Sequence, residues 1–489
     1  MTVRQTFRRA ATSSSVRALV VTVLLASAAP LGAQAPRLSQ ATRAFVSVDA
    51  PVLALTHVRV VDGTGAPPAA DQTVVVRDGL IAAVGPAASV QVPAGARTID
   101  LSGKSLIPGL VMLHEHMFYP AGGPGAYNEL VYSFPRLYLA GGVTTMRTGG
   151  NMSGYTDFNI RRAIDAGEVP GPHMDTTGPY LEGPGLPIPY IHALTGADDA
   201  RRMVGYWADQ GATSFKAYMH ISRAELGAAV EEAHKRGLKV TGHLCSVTFS
   251  EAADLGIDDL EHGLVVSTDF VADKKPDECP PGDAVQTSIA ALDVNGPALQ
   301  ALIKKLVDKH VAVTSTLTVF ETFVPGRAPA SNAALDAMAP EVRDAYLRRR
   351  ARIAVDAKSP WATLFSKEMA FEHAFAKAGG LLVSGTDPTG YGGVVAGFSN
   401  QREIELLVEA GFTPVEAIQV ATMNGATYLG RQSQIGSIAV GKAADLVVVD
   451  GDPASKIEDI TKVETVFKDG IGYDSAKLVA AARGLVGLR

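Results

Sequence analysis

ATSFKAYMHISRAELGAAVEEAHKRGLKVTGHL, residues 212–244, holds one complete structural unit. Two short apolar runs, ATSFKAY (212–218) and LKVTGHL (238–244), read as strands. Between them, SRAELGAAVEEAHKRG (222–237) repeats Leu226, Ala229, Val230 and Ala233 at helical spacing, and Gly237 marks its stop. Strand, helix and strand in that order make a parallel α/β unit. The same alternation extends outward through LVMLHEH (110–116), GVTTMRT (142–148), HMDTTG (173–178), IDDLEHG (257–263), VAVTSTL (311–317) and LLVSGTD (381–387). Eight strand ends predict an α/β chain whose residues 108–434 form a (β/α)8 TIM-like barrel. Residues 318–380 read as an insertion, with VRDAYLRRRARIAVDA (342–357) as a solvated helix face.

The flanks have a different texture. LALTHVRVVDG (53–63) and TVVVRDGLIAAVG (73–85) are short apolar runs broken by Gly and Asp, and IGSIAVGKAADLVVVDGDP (435–453) and KVETVFKDGIGY (462–473) return to that pattern. We expect a small β-sandwich assembled from both ends, residues 34–107 and 435–489. The start differs again. Arg4, Arg8, Arg9 and Arg17 precede the apolar run Ala18 to Ala29, and no acid occurs before Asp49, so residues 1–33 read as a signal peptide of an exported protein, periplasmic or extracellular. That run is too short to span a bilayer, and no second candidate follows.

With 44 Lys+Arg against 50 Asp+Glu in 489 residues, the formal charge is −6, and the body of the chain has no basic cluster. Nucleic acid and anionic lipid are therefore not expected partners. The expected partners are a small-molecule substrate and further copies of the same chain. Only Cys245 and Cys279 occur, so no disulfide framework holds the fold; a single bridge is left open, and Cys245 reads as a small buried apolar residue.

Barrels carry their chemistry at the C-terminal ends of their strands. His114 and His116 flank Glu115 at the first such end, and alternate residues of an extended segment share a side. His243, His262 and Asp387 close the fifth, sixth and eighth strands. Four imidazoles and a carboxylate at one end of a barrel suit a zinc-like divalent ion.

Taken together, PGLVMLHEH (108–116), Lys216 in ATSFKAY, VTGHL (240–244), LEHG (260–263), SGTD (384–387) and the closing GSIAVGKAADLVVVDGDP resemble the metal-dependent amidohydrolase superfamily, in its imidazolonepropionase- and prolidase-like branch. The resemblance covers residues 52–473. It implies a barrel with a companion β-domain, and two divalent ions, zinc by preference. His114, His116 and Asp387 would hold one ion, His243 and His262 the other, and an N-carboxylated Lys216 would bridge them. A lysine ammonium has only donors, so carboxylation is what would make Lys216 a ligand. Met112 and Thr148 stand where the family commonly carries acids, which leaves the hydrogen bonding around the ligands open.

The function these readings imply is metal-assisted hydrolysis of an amide C–N bond in a dipeptide or N-acyl amino acid, without restriction to proline. Two ions sharing a water lower its pKa from about 15.7 toward neutrality. Asp387 is the expected general base and then acid. Tyr218, two residues beyond Lys216, is a candidate donor to the developing oxyanion, or a tyrosine with a solvated hydroxyl. Arg147 suits a substrate carboxylate, with an internal ion pair as the alternative. The loops at 119–127 and 179–190 are expected to line the pocket. A lactone, carbamate or phosphotriester would suit the same nucleophile, and a binding protein on the same fold remains the reading of a different class.

Overall fold

In the computed structural model, which describes residues 1–2, 38–121, 125–186 and 188–489, the runs read above form eight strands. They are β1 (Leu110–Glu115), β2 (Val143–Thr148), β3 (His173–Asp175), β4 (Ser214–Ala217), β5 (Lys239–Gly242), β6 (Asp259–Glu261), β7 (Ala312–Ser315) and β8 (Leu382–Ser384). All pair in parallel, in two sheets of order β3-β2-β1 and β4-β5-β6-β7-β8. Between β3 and β4 there are parallel bridges, Thr177 with Ser214 and Leu181 with Ala217. Between β8 and β1, the N–H groups of Thr386 and Asp387 donate to the His114 carbonyl at 3.1 and 3.0 Å. The leader expected over 1–33 lies outside the described residues, its first two positions apart.

Every residue of β1, β2 and β4 is buried, as expected of parallel strands covered on both faces. The helix between β4 and β5 runs Arg223–Lys235 and starts at a capping box in which Ser222 and Glu225 satisfy each other's backbone N–H. No helix among the described residues is long and apolar enough to cross a membrane.

Strands from the two chain ends meet in one nine-stranded sheet. Leu446–Val449 lies antiparallel to Ser105–Pro108, which leads directly into β1. Alternation sorts its side chains: Leu446 and Val448 join Leu53, Leu55, Val74 and Phe467 in a separate core, whereas Val447 and Val449 join the main core. Strands from both flanks therefore belong to one connected sheet among the described residues.

Within 318–380 the helix Pro340–Ala354 is mostly exposed, but Arg350 turns inward and donates to the carbonyls of Thr322 and Val324 at 3.2 and 2.8 Å. Cys245 corrects an expectation: it is buried, yet it is disulfide-bonded to Cys279. The bridge closes 34 residues of chain, which the loop-entropy account values at about 2–4 kcal/mol. Replacing both cysteines with Ala should lower the unfolding free energy by that amount in denaturant titrations, and a loss under about 0.5 kcal/mol would count against this.

Three carboxyls are fully buried behind β6 and β7: Glu368 and Glu372 on the helix Trp361–Lys377, and Glu403 on Phe398–Glu409. The Ser315 Oγ lies 2.8 Å from Glu372 and 2.7 Å from Glu403, and a hydroxyl has one proton, so one carboxyl must donate to it. Glu403 also accepts N–H bonds from Leu317 and Thr318, which leaves Glu372 as the donor. Burial pushes Glu403 up to about 7 and Glu368 up to about 8, and burial together with Glu368 raises Glu372 well above the usual carboxyl value. Folded values above the unfolded value near 4.5 mean that the folded chain holds extra protons. Their stabilisation is complete below that value and fades as pH climbs through the folded values. The unfolding midpoint should therefore fall between pH 5 and 9. Glu372→Gln, whose amide donates as the protonated acid does, should be shallower by on the order of 1–3 kcal/mol at the alkaline end.

Candidate metal centre

His114 occupies β1 in register with Met112, so both leave the same side of the strand; Met112 is fully buried and His114 stands one layer closer to the strand ends. Gly385 has no room for a Cβ because the backbone and Cβ of His114 press against it. The imidazole rings form an arc. His116 and His114 lie 5.2 Å apart between ring centres, His114 and His262 4.6 Å, and His262 and His243 4.4 Å. Asp387 faces this arc: one carboxylate oxygen lies 3.2 Å from His116 Nε2 and 3.8 Å from His114 Nε2, and the other lies 3.9 Å from His262 Nε2. One atom each from His114, His262 and Asp387 falls within 4.8 Å of the others.

His262 and Asp387 reach this position through the left-handed backbone region, at φ +70° and +52°. Such conformations cost about 1–3 kcal/mol and persist where surrounding structure enforces them. Here they turn two side chains inward as their strands end. One tautomer is also set. His116 Nδ1 lies 3.2 Å from the Gly150 carbonyl, which requires its N–H there and frees Nε2 toward Asp387. His262 Nδ1 is engaged by the Thr316 hydroxyl at 2.8 Å.

Beneath the arc lies a buried charge network. Lys216, 1% exposed, pairs with Glu261, whose same oxygen lies 3.3 Å from His114 Nδ1 without an aligned hydrogen bond. Arg147 donates to the Leu113 carbonyl at 2.7 Å, to Asp259 at 3.1 Å and to Glu261 at 3.0 Å. The substrate-clamp role considered for Arg147 is therefore withdrawn: its guanidinium is 1% exposed and already committed below the site, so the ion-pair alternative describes it. Thr241 and Thr314 complete the network by donating to Glu261 and Asp259, both at 2.7 Å. Sequence reading missed these two acids. Their signal was the i, i+2 spacing in IDDLEHG, which turns both toward the same side. Glu115 faces away and accepts from Thr386 at 2.6 Å and Asn400 at 2.8 Å; burial pushes it up to about 8.

Electrostatics hold three of the imidazoles below their ordinary value. Burial, then the Lys216 charge, pushes His243 down to about 3 and His114 well below its ordinary value; burial and His243 do the same for His262. Burial also lowers Lys216 far below a normal lysine. Burial alone would raise Asp387, but its closeness to His116 and His262 outweighs this and holds the carboxyl low. The buried His114, His116 and His262 rings, with nitrogens turned toward the Asp387 carboxylate, fit a divalent ion.

Tyr218 stands at the rim, 5.1 Å edge-on from His243. Tyr180 is 4.7 Å from it, and Phe118 stacks on His116 at 4.4 Å. Phe118 and Tyr180 belong to a small apolar cluster with Met152, against which Tyr127 packs. The two loops expected to line the pocket supply Tyr127 and Tyr180.

A family model described as Amidohydrolase family matches residues 105–471. Imidazolonepropionase of Parabacteroides distasonis is 45% identical over 65 residues, 12% of this chain and 15% of that protein. Among solved structures, a Xaa-Pro dipeptidase with bound methionine in its active site is 20% identical, covers 86% of this chain and 100% of its own, and has a TM-score of 0.64. Bottromycin amidohydrolase is 22% identical, with coverages of 89% and 91% and a TM-score of 0.67. At these identities the two structures speak to the fold alone.

Proposed function

The chain belongs to the amidohydrolase family, and from that premise we propose an exported binuclear metal hydrolase that cleaves the amide C–N bond of a dipeptide or N-acyl amino acid. On this reading the eight parallel strands act as a closed (β/α)8 barrel, with the sheet from both ends as its β-sandwich companion. His114, His116 and Asp387 would hold one ion and His243 and His262 the other, with a carbamate on Lys216 between them and zinc as the preferred metal. The observation that carries the proposal is the convergence of His114, His262 and Asp387 donor atoms within 4.8 Å, among imidazoles gathered at the strand ends.

Bound divalent ions would acidify water and polarise the substrate carbonyl. Asp387 is ionised and lies 3.2 Å from His116 Nε2, so it accepts the proton that water loses as its oxygen joins the carbonyl carbon. It then returns that proton to the nitrogen as the C–N bond breaks. The Tyr218 hydroxyl, kept protonated by burial and by Asp387, donates to the oxyanion between these steps. Glu261 and Arg147 hold His114 and Lys216 from below.

Elemental analysis of purified protein should find two equivalents of metal per chain, and a chelator should abolish hydrolysis of a panel of dipeptides and N-acyl amino acids. Fewer than one equivalent of metal refutes the binuclear site. The Cys245–Cys279 bridge supports the exported reading, since disulfides persist in oxidising compartments. Cell fractionation tests it, and retention in the cytoplasm would overturn it.

A further inference from the structure

His262 is the one imidazole of the arc whose backbone lies in the left-handed region, and the next residue, Gly263, follows it there at φ +61°. A turn of that kind holds only where neighbouring structure enforces it. Here the enforcement comes from outside the strands. Glu368, on the helix Trp361–Lys377 of the insertion, accepts the Val265 N–H at 2.7 Å across 103 residues of chain. Its other carboxyl oxygen presses on Gly263, which leaves that residue no room for a Cβ. The carboxyl thus fixes the backbone just beyond His262 by one hydrogen bond and by one steric contact.

The ring is held from a second direction. Thr316 places its hydroxyl 2.8 Å from His262 Nδ1, and the His262 N–H donates to the Thr314 carbonyl at 3.0 Å. Glu403, on the helix Phe398–Glu409, brackets Thr316: it accepts from the Ser315 hydroxyl at 2.7 Å and from the N–H groups of Leu317 and Thr318 at 3.0 and 2.8 Å. Both carboxyls are fully buried, and these hydrogen bonds run to backbone N–H groups and a hydroxyl. An acid with no cation beside it is costly to bury, and an apolar side chain of similar size would pack the same space. Filling volume therefore does not account for either glutamate, whereas holding the two turns around His262 does.

We propose that Glu368 and Glu403 are positioning residues that set the His262 imidazole for metal binding, Glu368 through the turn at 263–265 and Glu403 through Thr316. This rests on the reading of His262 as a metal ligand. Partners that orient a ligating imidazole are worth about 10–100-fold in metal affinity. Competition with a chromophoric chelator for Zn2+ should show a loss of about that size, for at least one bound equivalent, in Glu368→Leu and in Glu403→Leu. Glu368→Gln, whose carbonyl oxygen can still accept the Val265 N–H, should stay within about threefold of the parent chain. A merely structural role predicts lower thermal midpoints with unchanged Zn2+ affinity in both leucine variants, and that result overturns the proposal. Glu368→Met supplies the same reading should Glu368→Leu not fold. If the parent chain binds no Zn2+, the metal reading fails, and nitrogen NMR of histidine-labelled protein decides the positioning separately. A single His262 tautomer in the parent and in Glu368→Gln, giving way to a mixture in the leucine variants, upholds the fixing of the ring and removes its metal role. A mixture already present in the parent, or one tautomer throughout, overturns it.

Discussion

Asp387→Asn should lower kcat by about 10²–10⁴-fold, the range general acid–base catalysis supplies. The substitution is chosen so that chemistry, not folding, is removed. Asn tolerates the left-handed backbone at φ +52° better than most residues, and the N–H of residue 387 still donates to the His114 carbonyl. Thr389, whose hydroxyl bonds one carboxylate oxygen at 2.7 Å, can donate to the amide oxygen instead. What disappears is the negative charge facing His116 and His262 and the site that can take a proton from water. The thermal midpoint should move little, and metal content should remain measurable because the amide oxygen is still a ligand atom. Normal turnover with metals bound would remove Asp387 from the proton-transfer role and leave it a ligand only.

The outline of this site was legible because it depends on local pattern. An apolar run followed by Gly, Pro or a polar break marks a strand end, and the strand end is where barrel side chains face reactants. The strands are shorter than the runs suggest for a reason the sequence does not display. IDDLEHG reads as seven residues of strand, but β6 stops at Glu261 because His262 enters the left-handed region to turn inward. Partnerships across strands were not legible. Arg147 meets Asp259 and Glu261 over separations of 112 and 114 residues, and nothing local in TTMRTGG says whether that guanidinium points to substrate or beneath the strand ends. Likewise the insertion at 318–380 was readable as helical, but its placement of Phe320 beside His262 depends on tertiary packing.

Lys216→Met carries the second large effect, and it separates two roles for one lysine. With metals removed, Lys216 is a buried cation paired with Glu261, both almost without solvent contact. Deleting the lysine leaves that carboxylate short of a partner, and breaking a buried pair costs about 3–5 kcal/mol. The lower end applies, because Arg147 still reaches Glu261 at 3.0 Å. Glu261→Gln added to Lys216→Met should recover much of the loss, with a coupling of about 1–3 kcal/mol in the double-mutant cycle. If pairing with Glu261 were the whole role of Lys216, the double variant would regain metal content along with stability. If Lys216 also serves as a carboxylated bridge, stability returns but metal content stays below that of the parent chain. Bicarbonate should then raise metal loading in the parent and have no effect on either variant lacking the lysine. Equal metal content in the parent and the double variant would eliminate the bridge, whatever the stability cycle shows.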